Sequence, residues 1–464
     1  MIEKALFIVP HPDDELNIGG SFLYDLVQKS VDVYVIYTTN GDSNKENGNN
    51  RILQAYNSLE SMGVKKQNII FLGYPDGWNG TVHIYNSPPD LLMESESGKT
   101  ITNCLNPYDE YCYRKNNIHK SFSRANLKAD LKEAIAFVKA ELICCVDFDI
   151  HPDHRAASLL TEEILGELLK ENRNYRPVFL KKFAYEGVWT GKKDYYSNPK
   201  VETKKPREIF FSDSEHDTSS PCFTWNERLR FNVGEDNKQS FIINTPLFQA
   251  ALKHKSTDAF FAMLGILNDD IVFWWRPTNN IMLNADITAS SGETSFLNDF
   301  KRYDCPNVYN TKNPFEDESI GYWKADKSDA NPIINIRFDK KQQVKELWLY
   351  GSSYQTSNIT QFEVWAENVL IYAGSMVSGG VATKIVLEKE IVTSNIEFKI
   401  IQYIGTPTLG EIEIYSDEVE FPWNSIPVNK YDKNISNGSR INDKWLVYSM
   451  YIIKWKILNR VLGY

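Results

Sequence analysis

The sequence predicts an α/β fold with a parallel sheet and helices on both faces, followed by an all-β sandwich and a C-terminal amphipathic helix. Two apolar runs, residues 5–9 and 142–146, have the continuous hydrophobic pattern of buried parallel strands, and each precedes a polar loop and a helical pattern. Short strand-like segments separated by polar turns begin near residue 281. A chain of 464 residues is long enough for two or three domains, and we place them at 1–280, 281–417 and 418–464.

The first strand runs into the motif Val-Pro-His-Pro-Asp-Asp-Glu at residues 9–15. His11 and Asp14 are three residues apart on a turn stiffened by proline, so both side chains can face one point, as two ligands of a metal such as zinc must. Asp13 lies between them in the sequence and is not needed as a ligand. A catalytic zinc site keeps an open position for water, and a spare carboxylate beside that water is the natural general base.

The second strand runs into Asp-Phe-Asp-Ile-His-Pro-Asp-His at residues 147–154. Because the carboxyl ends of parallel strands meet at one edge of a sheet, we expect this cluster to lie beside the first. If a helix begins after Pro152, His151 and His154 are near neighbours, and one can bind metal while the other faces the substrate. Ordinary capping and turn chemistry is the competing interpretation, which two clusters in matching positions disfavour.

The two motifs together resemble the PIG-L/LmbE-like family of zinc-dependent N-deacetylases. Further matches follow in the order of the family: Arg51 opens the helical segment 51–63, residues 71–77 read Phe-Leu-Gly-Tyr-Pro-Asp-Gly, and residues 250–256 read Ala-Ala-Leu-Lys-His-Lys-Ser. The resemblance covers residues 1–278 and implies a Rossmann-like sheet for this part of the chain.

The resemblance also implies a metal site and its chemistry. His11, Asp14 and His154 would bind one Zn²⁺ per chain, with another divalent metal such as Fe²⁺ as the alternative. Asp13 would be the general base that deprotonates the water, and His151 would stabilise the oxyanion or protonate the leaving amine. The implied reaction removes the N-acetyl group from an amino sugar of the GlcNAc type within a glycoconjugate and releases acetate.

Residues around the metal site are assigned in the same way. Arg51 and Asp76 match positions that hold sugar hydroxyls in relatives, and Glu15 is expected to support the site or the helix N-terminus. Two rival functions stay open at this point. One is hydrolysis of another small amide conjugate, and the other is a catalytically silent glycan-binding protein in which the sandwich supplies the function.

The sequence departs from the family pattern at two positions. Gln54 stands where the family usually has Glu, which removes a charge from the expected pocket wall but no metal ligand. Asp149 stands where some relatives have a tyrosine two residues before the second motif, so any contribution of that tyrosine to oxyanion binding must be absent or replaced.

Composition and charge exclude some classes of protein. The net charge of −10 argues against general nucleic-acid binding, which requires a basic surface. The N-terminus lacks the pattern of a secretory signal, and we therefore expect a cytoplasmic protein. The six cysteines show no Cys-x-x-Cys spacing, and reduced thiols are expected. The oligomeric state is left open.

A long polar segment, residues 76–121, interrupts the strand and helix pattern. Such a segment is typical of a lid or binding loop, and its aromatic rings could stack on sugar rings. The alternative, about equally favoured, is a surface loop that packs its own aromatic rings. The aromatic residues concerned are Trp78, Tyr85, Tyr108, Tyr111 and Tyr113.

The C-terminal part carries no reactive motif. The order of its strands resembles the discoidin-type, galactose-binding-like jelly roll over residues 281–417, which implies either glycan binding or a structural packing role. Residues 444–462 repeat apolar residues at helical spacing, with Trp, Tyr and Lys among them. This pattern predicts a helix that lies on a membrane surface as a peripheral contact or, as the alternative, docks on protein.

Overall fold

The computed structural model describes residues 2–42, 48–77, 80–104, 108–147, 151–184, 203, 227–238, 244–256, 267–302, 321–351, 358–377 and 381–423. The predicted C-terminal helix at 444–462 lies outside these residues, and so do Trp78 and Asp149. Among the described helices, none combines the length and apolar character needed to cross a bilayer.

A seven-stranded sheet forms the centre of the N-terminal part, in the order β3-β2-β1-β4-β5-β7-β6. Strands β1 to β5 are parallel, whereas β7 runs antiparallel to both β5 and β6. The predicted parallel sheet is therefore mixed, because antiparallel strands extend its far edge, a common arrangement in large sheets. The strands are β1 (Lys4–Val9), β2 (Asp32–Thr39), β3 (Ile69–Tyr74), β4 (Leu142–Val146), β5 (Val178–Lys182), β6 (Leu229–Asn232) and β7 (Asp270–Arg276).

Seven α-helices of the described part cover this sheet in two groups. In the first group α7 packs on α1 and α2, and in the second α3, α4, α5 and α6 contact one another. Both groups contact the central strands but make few contacts with each other, which places them on opposite faces, as predicted. The helices are α1 (Asp14–Gln28), α2 (Gly48–Ser61), α3 (Thr81–Asn86), α4 (Tyr111–Asn116), α5 (Arg124–Val138), α6 (Pro152–Glu171) and α7 (Pro246–Ala251).

Helix α1 packs unusually close to strand β1 because of a glycine. A Cβ on Gly19 would lie 2.6 Å from the ring of Phe7, and the backbone of Gly19 is non-helical, so α1 is kinked there. The buried ammonium group of Lys182 donates to the carbonyl oxygen of Asn17 at 3.0 Å, next to the kink. This contact satisfies a carbonyl group that faces away from solvent.

The C-terminal part is all-β, as predicted. Its sheet has the order β12-β11-β13-β10-β14-β9, and β8 pairs with the first half of β10. The strands enclose a second hydrophobic core of their own. They are β8 (Asp286–Ala289), β9 (Trp323–Lys324), β10 (Ile333–Gly351), β11 (Asn358–Ala366), β12 (Val369–Gly374), β13 (Ala382–Ile404) and β14 (Thr408–Tyr415).

The hydrophobic core of the N-terminal part extends past residue 280. Leu283, Phe300 and Tyr322 are buried in the same cluster as the strands of the α/β sheet. The division of the chain at residues 280 and 417 stays a prediction.

Candidate functional site

The two motif loops meet at the point where the strand order of the parallel sheet reverses. Strands β1 and β4 are neighbours, β2 and β3 extend the sheet on one side, and β5 extends it on the other. The loop after β1 carries His11 and Asp13, and Asp14 begins α1. Helix α6, which follows β4 in the chain, carries His154. Crevices at such switch points are where open α/β sheets bind their ligands.

Asp13 has a backbone conformation that few residues with a side chain adopt. Its φ is 116° and its ψ is −25°, and it precedes α1 without capping that helix through its side chain. The N–H group of Asp13 donates to Glu15 Oε2 at 2.8 Å, which holds the turn. Its Oδ1 is buried and accepts no hydrogen bond from any residue that the structure describes. One oxygen of the carboxylate is therefore left to accept a proton.

The environment of Asp13 also changes its proton affinity. Burial raises the pKa of Asp13 to about 6, against the opposing effect of the Arg51 guanidinium. Arg51 Nη2 lies 3.7 Å from Asp13 Oδ2 and donates to the carbonyl oxygen of Pro12 at 3.1 Å. Arg51 therefore fixes the backbone of this loop and partly offsets the negative charge of Asp13.

Asp14 lies between two histidines from the two motifs. Its Oδ2 is 3.0 Å from His11 Nδ1 and 3.2 Å from His154 Nε2, and all three side chains are buried. Burial alone would raise the pKa of Asp14, but His154 and His11 outweigh it and hold that pKa well below its usual value. The carboxylate is therefore ionised between two nitrogen donors, as a metal ligand must be.

The other nitrogen of His11 contacts two further carboxylates. His11 Nε2 lies 3.0 Å from Asp76 Oδ1 and 3.2 Å from Asp153 Oδ2. Burial alone would lower the pKa of His11, but Asp76, Asp14 and Asp153 together raise it well above its usual value. Asp153 is fixed in turn by the hydroxyl of Thr81 at 2.8 Å. A carboxylate that accepts from one ring nitrogen orients the opposite nitrogen toward a metal.

His151 has a different hydrogen-bonding state from the other two histidines. It is the N-cap residue of α6, and its Nδ1 accepts the N–H group of Asp153 at 3.2 Å. The acceptor nitrogen carries no proton, so in the neutral ring the proton lies on Nε2. The ring centroid of His151 is 4.7 Å from that of His11 and 4.8 Å from that of His154, and the side chain is more exposed than either. This arrangement suits a group that donates a hydrogen bond at the site.

The donors of this cluster fit a divalent metal ion. His11, His151 and His154 each offer a ring nitrogen, and these lie within 4.8 Å of one another. A second grouping, His11 with Asp76 and Asp153, satisfies the same distance. Asp76 and Asp153 already accept hydrogen bonds from Gly77 and Thr81, whereas Asp14 Oδ1 is buried and accepts none from the residues described, so the side of His11 that faces Asp14 is the better site. Zinc binds imidazole nitrogen and carboxylate oxygen, and Fe²⁺ takes the same donor set.

A buried ion pair lies behind Asp13, and the sequence predicted the role of only one of its two residues. His254 Nε2 lies 2.8 Å from Glu15 Oε1, and both side chains are fully buried. Burial alone would lower the pKa of His254, but Glu15 raises it above its usual value. Glu15 was expected to support the loop, whereas His254 is 239 residues away and no local pattern pairs the two. Asp153 was missed as a partner of His11, although it lies within the second motif.

The two residues predicted to hold sugar hydroxyls differ modestly in exposure. Asp76 is buried, with contacts to His11 and to Arg51 Nη1 at 3.4 Å. The Arg51 side chain remains 13% exposed. Gln54, the departure noted in the sequence, accepts from the backbone and hydroxyl of Ser256 at 3.1 and 2.7 Å, which joins α2 to the segment after α7.

The long segment after β3 uses its aromatic rings within the protein. Tyr85 and Tyr111 are buried, and the ring of Tyr108 stacks on that of Tyr56 with centroids 4.0 Å apart. The ring of Tyr113 stacks on that of His119. These rings therefore support the second interpretation of the segment, a loop that packs its own aromatic side chains.

Comparisons with known proteins bear on this site. Residues 6–165 match the family described as PIG-L: GlcNAc-PI de-N-acetylase, which confirms the resemblance stated for the N-terminal motifs. No curated protein matches the chain.

Several solved structures are similar to parts of the chain. The N,N'-diacetylchitobiose deacetylase from Pyrococcus horikoshii is 14% identical over 60% of this chain and 85% of its own, with a TM-score of 0.35. The family 32 carbohydrate-binding module from C. perfringens NanJ is 16% identical over 28% of this chain and 93% of its own, with a TM-score of 0.22. A fucose-binding module from Streptococcus pneumoniae is 13% identical over 30% of this chain and 98% of its own, with a TM-score of 0.24.

Proposed function

We propose that this protein is a zinc-dependent N-deacetylase that removes the acetyl group from an N-acetylated amino sugar of the GlcNAc type in a glycoconjugate. The observation that carries the proposal is Asp14 Oδ2, which lies 3.0 Å from His11 Nδ1 and 3.2 Å from His154 Nε2, with Asp13 as the adjacent residue. The match of residues 6–165 to the PIG-L family supports the same reaction class.

His11, Asp14 and His154 would hold the metal ion. Zinc bound by two imidazoles and a carboxylate would supply Lewis-acid polarisation of the amide carbonyl and would lower the pKa of water. Asp76 and Asp153, which lie at His11 Nε2, keep the ring oriented. Side chains of the protein carry out the proton transfers and stabilise the developing charge.

Asp13 acts as the general base. Its Oδ1 is buried and accepts no hydrogen bond from the residues described, so the oxygen can take the proton of the attacking water. With a pKa of about 6, the carboxyl is ionised at neutral pH. The fixed backbone at φ 116° keeps the carboxylate directed at the site instead of at the N-terminus of α1.

His151 acts on the carbonyl oxygen. In the neutral ring the Nε2–H group donates to the carbonyl oxygen as negative charge develops on it. The proton that Asp13 has taken passes to the amine nitrogen when the carbon–nitrogen bond breaks. The products are acetate and the free amine, so the water supplies one oxygen to the acid and one hydrogen to the amine.

Arg51 is the residue that we assign to the sugar. Its side chain is 13% exposed beside Asp13, and its guanidinium carries donors for hydroxyl oxygens. Asp76 was predicted to share this role, but its contacts with His11 and Arg51 favour a role in orienting the histidine.

The proposal is tested by acetate release and metal content together. The purified protein is expected to contain one equivalent of zinc and to release acetate from at least one substrate in a panel of free, nucleotide-linked and lipid-linked N-acetylhexosamines. Asp13→Asn keeps the backbone conformation accessible, since Asn tolerates positive φ. This variant is expected to retain zinc, and its turnover number is expected to fall by about 100-fold or more.

A matched control and a contradicting outcome make the test decisive. Asp90→Asn changes an exposed carboxylate and should leave zinc content and turnover unchanged. A fully metallated protein that releases no acetate from any substrate, or an Asp13→Asn variant with undiminished turnover, would overturn the proposed function.

A further inference from the structure

A buried glutamate of the all-β part faces the α/β part. Glu413, on β14, is fully buried, and its Oε1 lies 3.3 Å from Arg276 Nη2. Its Oε2 lies 3.3 Å from Arg302 Nη2 and accepts the hydroxyl groups of Tyr350 at 3.2 Å and Tyr415 at 2.8 Å. Four groups therefore contact this one carboxylate.

Arg276 carries this contact into the α/β sheet. It is the last residue of β7, it is fully buried, and its Nη1 lies 2.9 Å from Glu162 Oε1 on α6. Its guanidinium also lies 3.9 Å from the ring centroid of Phe300. Glu162 Oε1 accepts in turn from Lys181 Nζ at 2.5 Å.

Lys181 connects the chain of charges to the start of the second motif. It ends β5 together with Lys182, and its Nζ lies 2.8 Å from both Asp147 Oδ1 and Ser158 Oγ. Asp147 directly follows β4, four residues before His151. Ser158 lies one helical turn beyond His154 on α6, so the same ammonium group contacts the first residue of the motif and the helix that carries His154.

We propose that the all-β part positions the metal site of the α/β part through this chain of buried charges. We name it the Glu413 relay, and it consists of Glu413, Arg276, Glu162, Lys181 and Asp147. Glu413 is then a positioning residue for His154, although it lies in the part of the chain whose resemblance implies sugar binding. The inference rests on the proposed metal site, and it goes beyond the proposed reaction.

The direction of the effect follows from the cost of an unbalanced buried charge. Without Glu413, the Arg276 guanidinium loses one carboxylate and is drawn more strongly to Glu162. Glu162 then interacts less with Lys181, and Lys181 holds Asp147 and Ser158 less well. The segment that carries His154 relaxes, and the metal is held more weakly.

The test measures zinc affinity of the full-length protein by competition with a chelator. Glu413→Gln preserves the size of the side chain and its acceptor oxygen for the tyrosines while removing its charge. We expect its zinc dissociation constant to rise about 3- to 10-fold, below the effect of losing a direct partner of a metal ligand. The matched control is Glu397→Gln, which removes a carboxylate from the partly exposed surface of β13 and should leave zinc affinity unchanged.

A double variant separates a relay from simple loss of stability. Glu413 and Asp147 share no contact, so independent effects of Glu413→Gln and Asp147→Asn on the dissociation constant would multiply. If the relay is correct, the zinc dissociation constant of the double variant exceeds that of the wild type by clearly less than the product of the two single increases. A dissociation constant equal to the product, or an unchanged constant in Glu413→Gln, overturns the inference.

A second measurement does not depend on zinc. Amide hydrogen exchange of residues 152–158 in the metal-free protein is expected to be faster in Glu413→Gln than in Glu397→Gln, and equal rates would overturn the relay. If Glu413→Gln fails to fold, Tyr415→Phe removes one contact of the same carboxylate and takes its place in both measurements. A wild-type protein that binds no zinc would contradict the proposed function, while the exchange rates would still decide the relay.

Discussion

At the scale of single residues, the proposed base depends on a partner that lies far away in the chain. The positive φ of Asp13 is held by Glu15, and the buried charge of Glu15 is balanced by His254. A buried pair of this kind adds little net stability while it is intact, but the loss of one partner leaves an uncompensated charge.

We therefore expect His254→Ala to destabilise the protein by about 3 kcal/mol. Urea denaturation followed by circular dichroism would measure this change. His254→Gln retains a donor for Glu15 and should be less damaging than His254→Ala. If both variants unfold at the same urea concentration as the wild type, the pair of His254 with Glu15 does not contribute the stability that we predict.

A second buried carboxylate predicts a pH dependence of stability. Asp25, on α1, accepts the N–H group of Gly234 at 2.7 Å, and burial raises its pKa to about 6 against the effects of Gly234 and Lys29. The folded state therefore binds a proton more tightly than the unfolded state. The stability that this group contributes falls as pH rises from about 4 to 6, and it stays low above pH 6.

Asp25→Asn removes this titration while it keeps an acceptor for Gly234. At pH 8 the variant is expected to be more stable than the wild type by about 1 to 2 kcal/mol, a range that allows for solvent screening of a partly buried group. At pH 4 the two proteins should be equally stable. Thermal unfolding at both pH values checks this, and an advantage of the variant that is larger at pH 4 would contradict the assignment.

A local motif indicates candidate metal ligands, but it does not indicate partners that are distant in the chain. His11 and Asp14 lie three residues apart, and a metal needs several donors at one point, so their spacing indicated them. The pairing of Glu15 with His254 depends on tertiary packing across 239 residues. Sequence spacing contains no information on such a contact.

At the scale of elements, helix α6 packs closely against residues beyond the predicted boundary at 280. Gly166 lies in the middle of this helix, and a Cβ there would be 2.6 Å from the carbonyl oxygen of Asp299 and 2.8 Å from Cβ of Phe300. Glycine is needed at this position for close approach, and not for its backbone freedom.

Gly166→Ala is therefore expected to reverse the usual rule for helices. In an exposed helix this change stabilises by about 1 kcal/mol, whereas here we expect a loss of about 1 to 3 kcal/mol from the steric clash. Glu171→Ala, at the exposed end of the same helix, serves as the control. A rise in melting temperature for Gly166→Ala in a thermal scan would show that the contact is loose.

Elements with a strong apolar pattern were predicted well, and those with polar interruptions were not. The sequence predicts a helix over 127–139 and strands over 5–9 and 142–146, close to α5, β1 and β4. It also predicts two strands, 332–338 and 344–350, which the structure joins into β10. The polar residues 339–342 indicated a turn, but they stay extended on an exposed stretch, with a register shift against β13 that absorbs the irregularity.

At the scale of the whole molecule, the two parts share buried contacts that we expect to couple their unfolding. The α/β core includes Phe300 and Tyr322 from beyond the predicted boundary, and Arg276 and Glu413 form a buried pair between the parts. Independent domains unfold in separate transitions, whereas a shared core couples them.

We expect one unfolding transition for the full-length protein. The described helices lie in the α/β part, so far-ultraviolet circular dichroism at 222 nm follows that part. Tryptophan fluorescence also reports on the all-β part, through residues such as Trp323 and Trp348. The two probes should give the same midpoint in urea. Midpoints that are clearly separated would show that each part is stable without the other.

The extension of one hydrophobic core across residue 280 has a consequence for how the chain can be rearranged. Modules joined by an exposed linker can be exchanged between proteins with few other changes. Here a cut at residue 280 removes Phe300 from its place against Phe179 and Arg276, so any replacement module must bring an aromatic ring and a carboxylate to the same two positions. Recombination at this boundary is thus restricted to donors that are already adapted to the recipient, and the two halves are expected to have changed together.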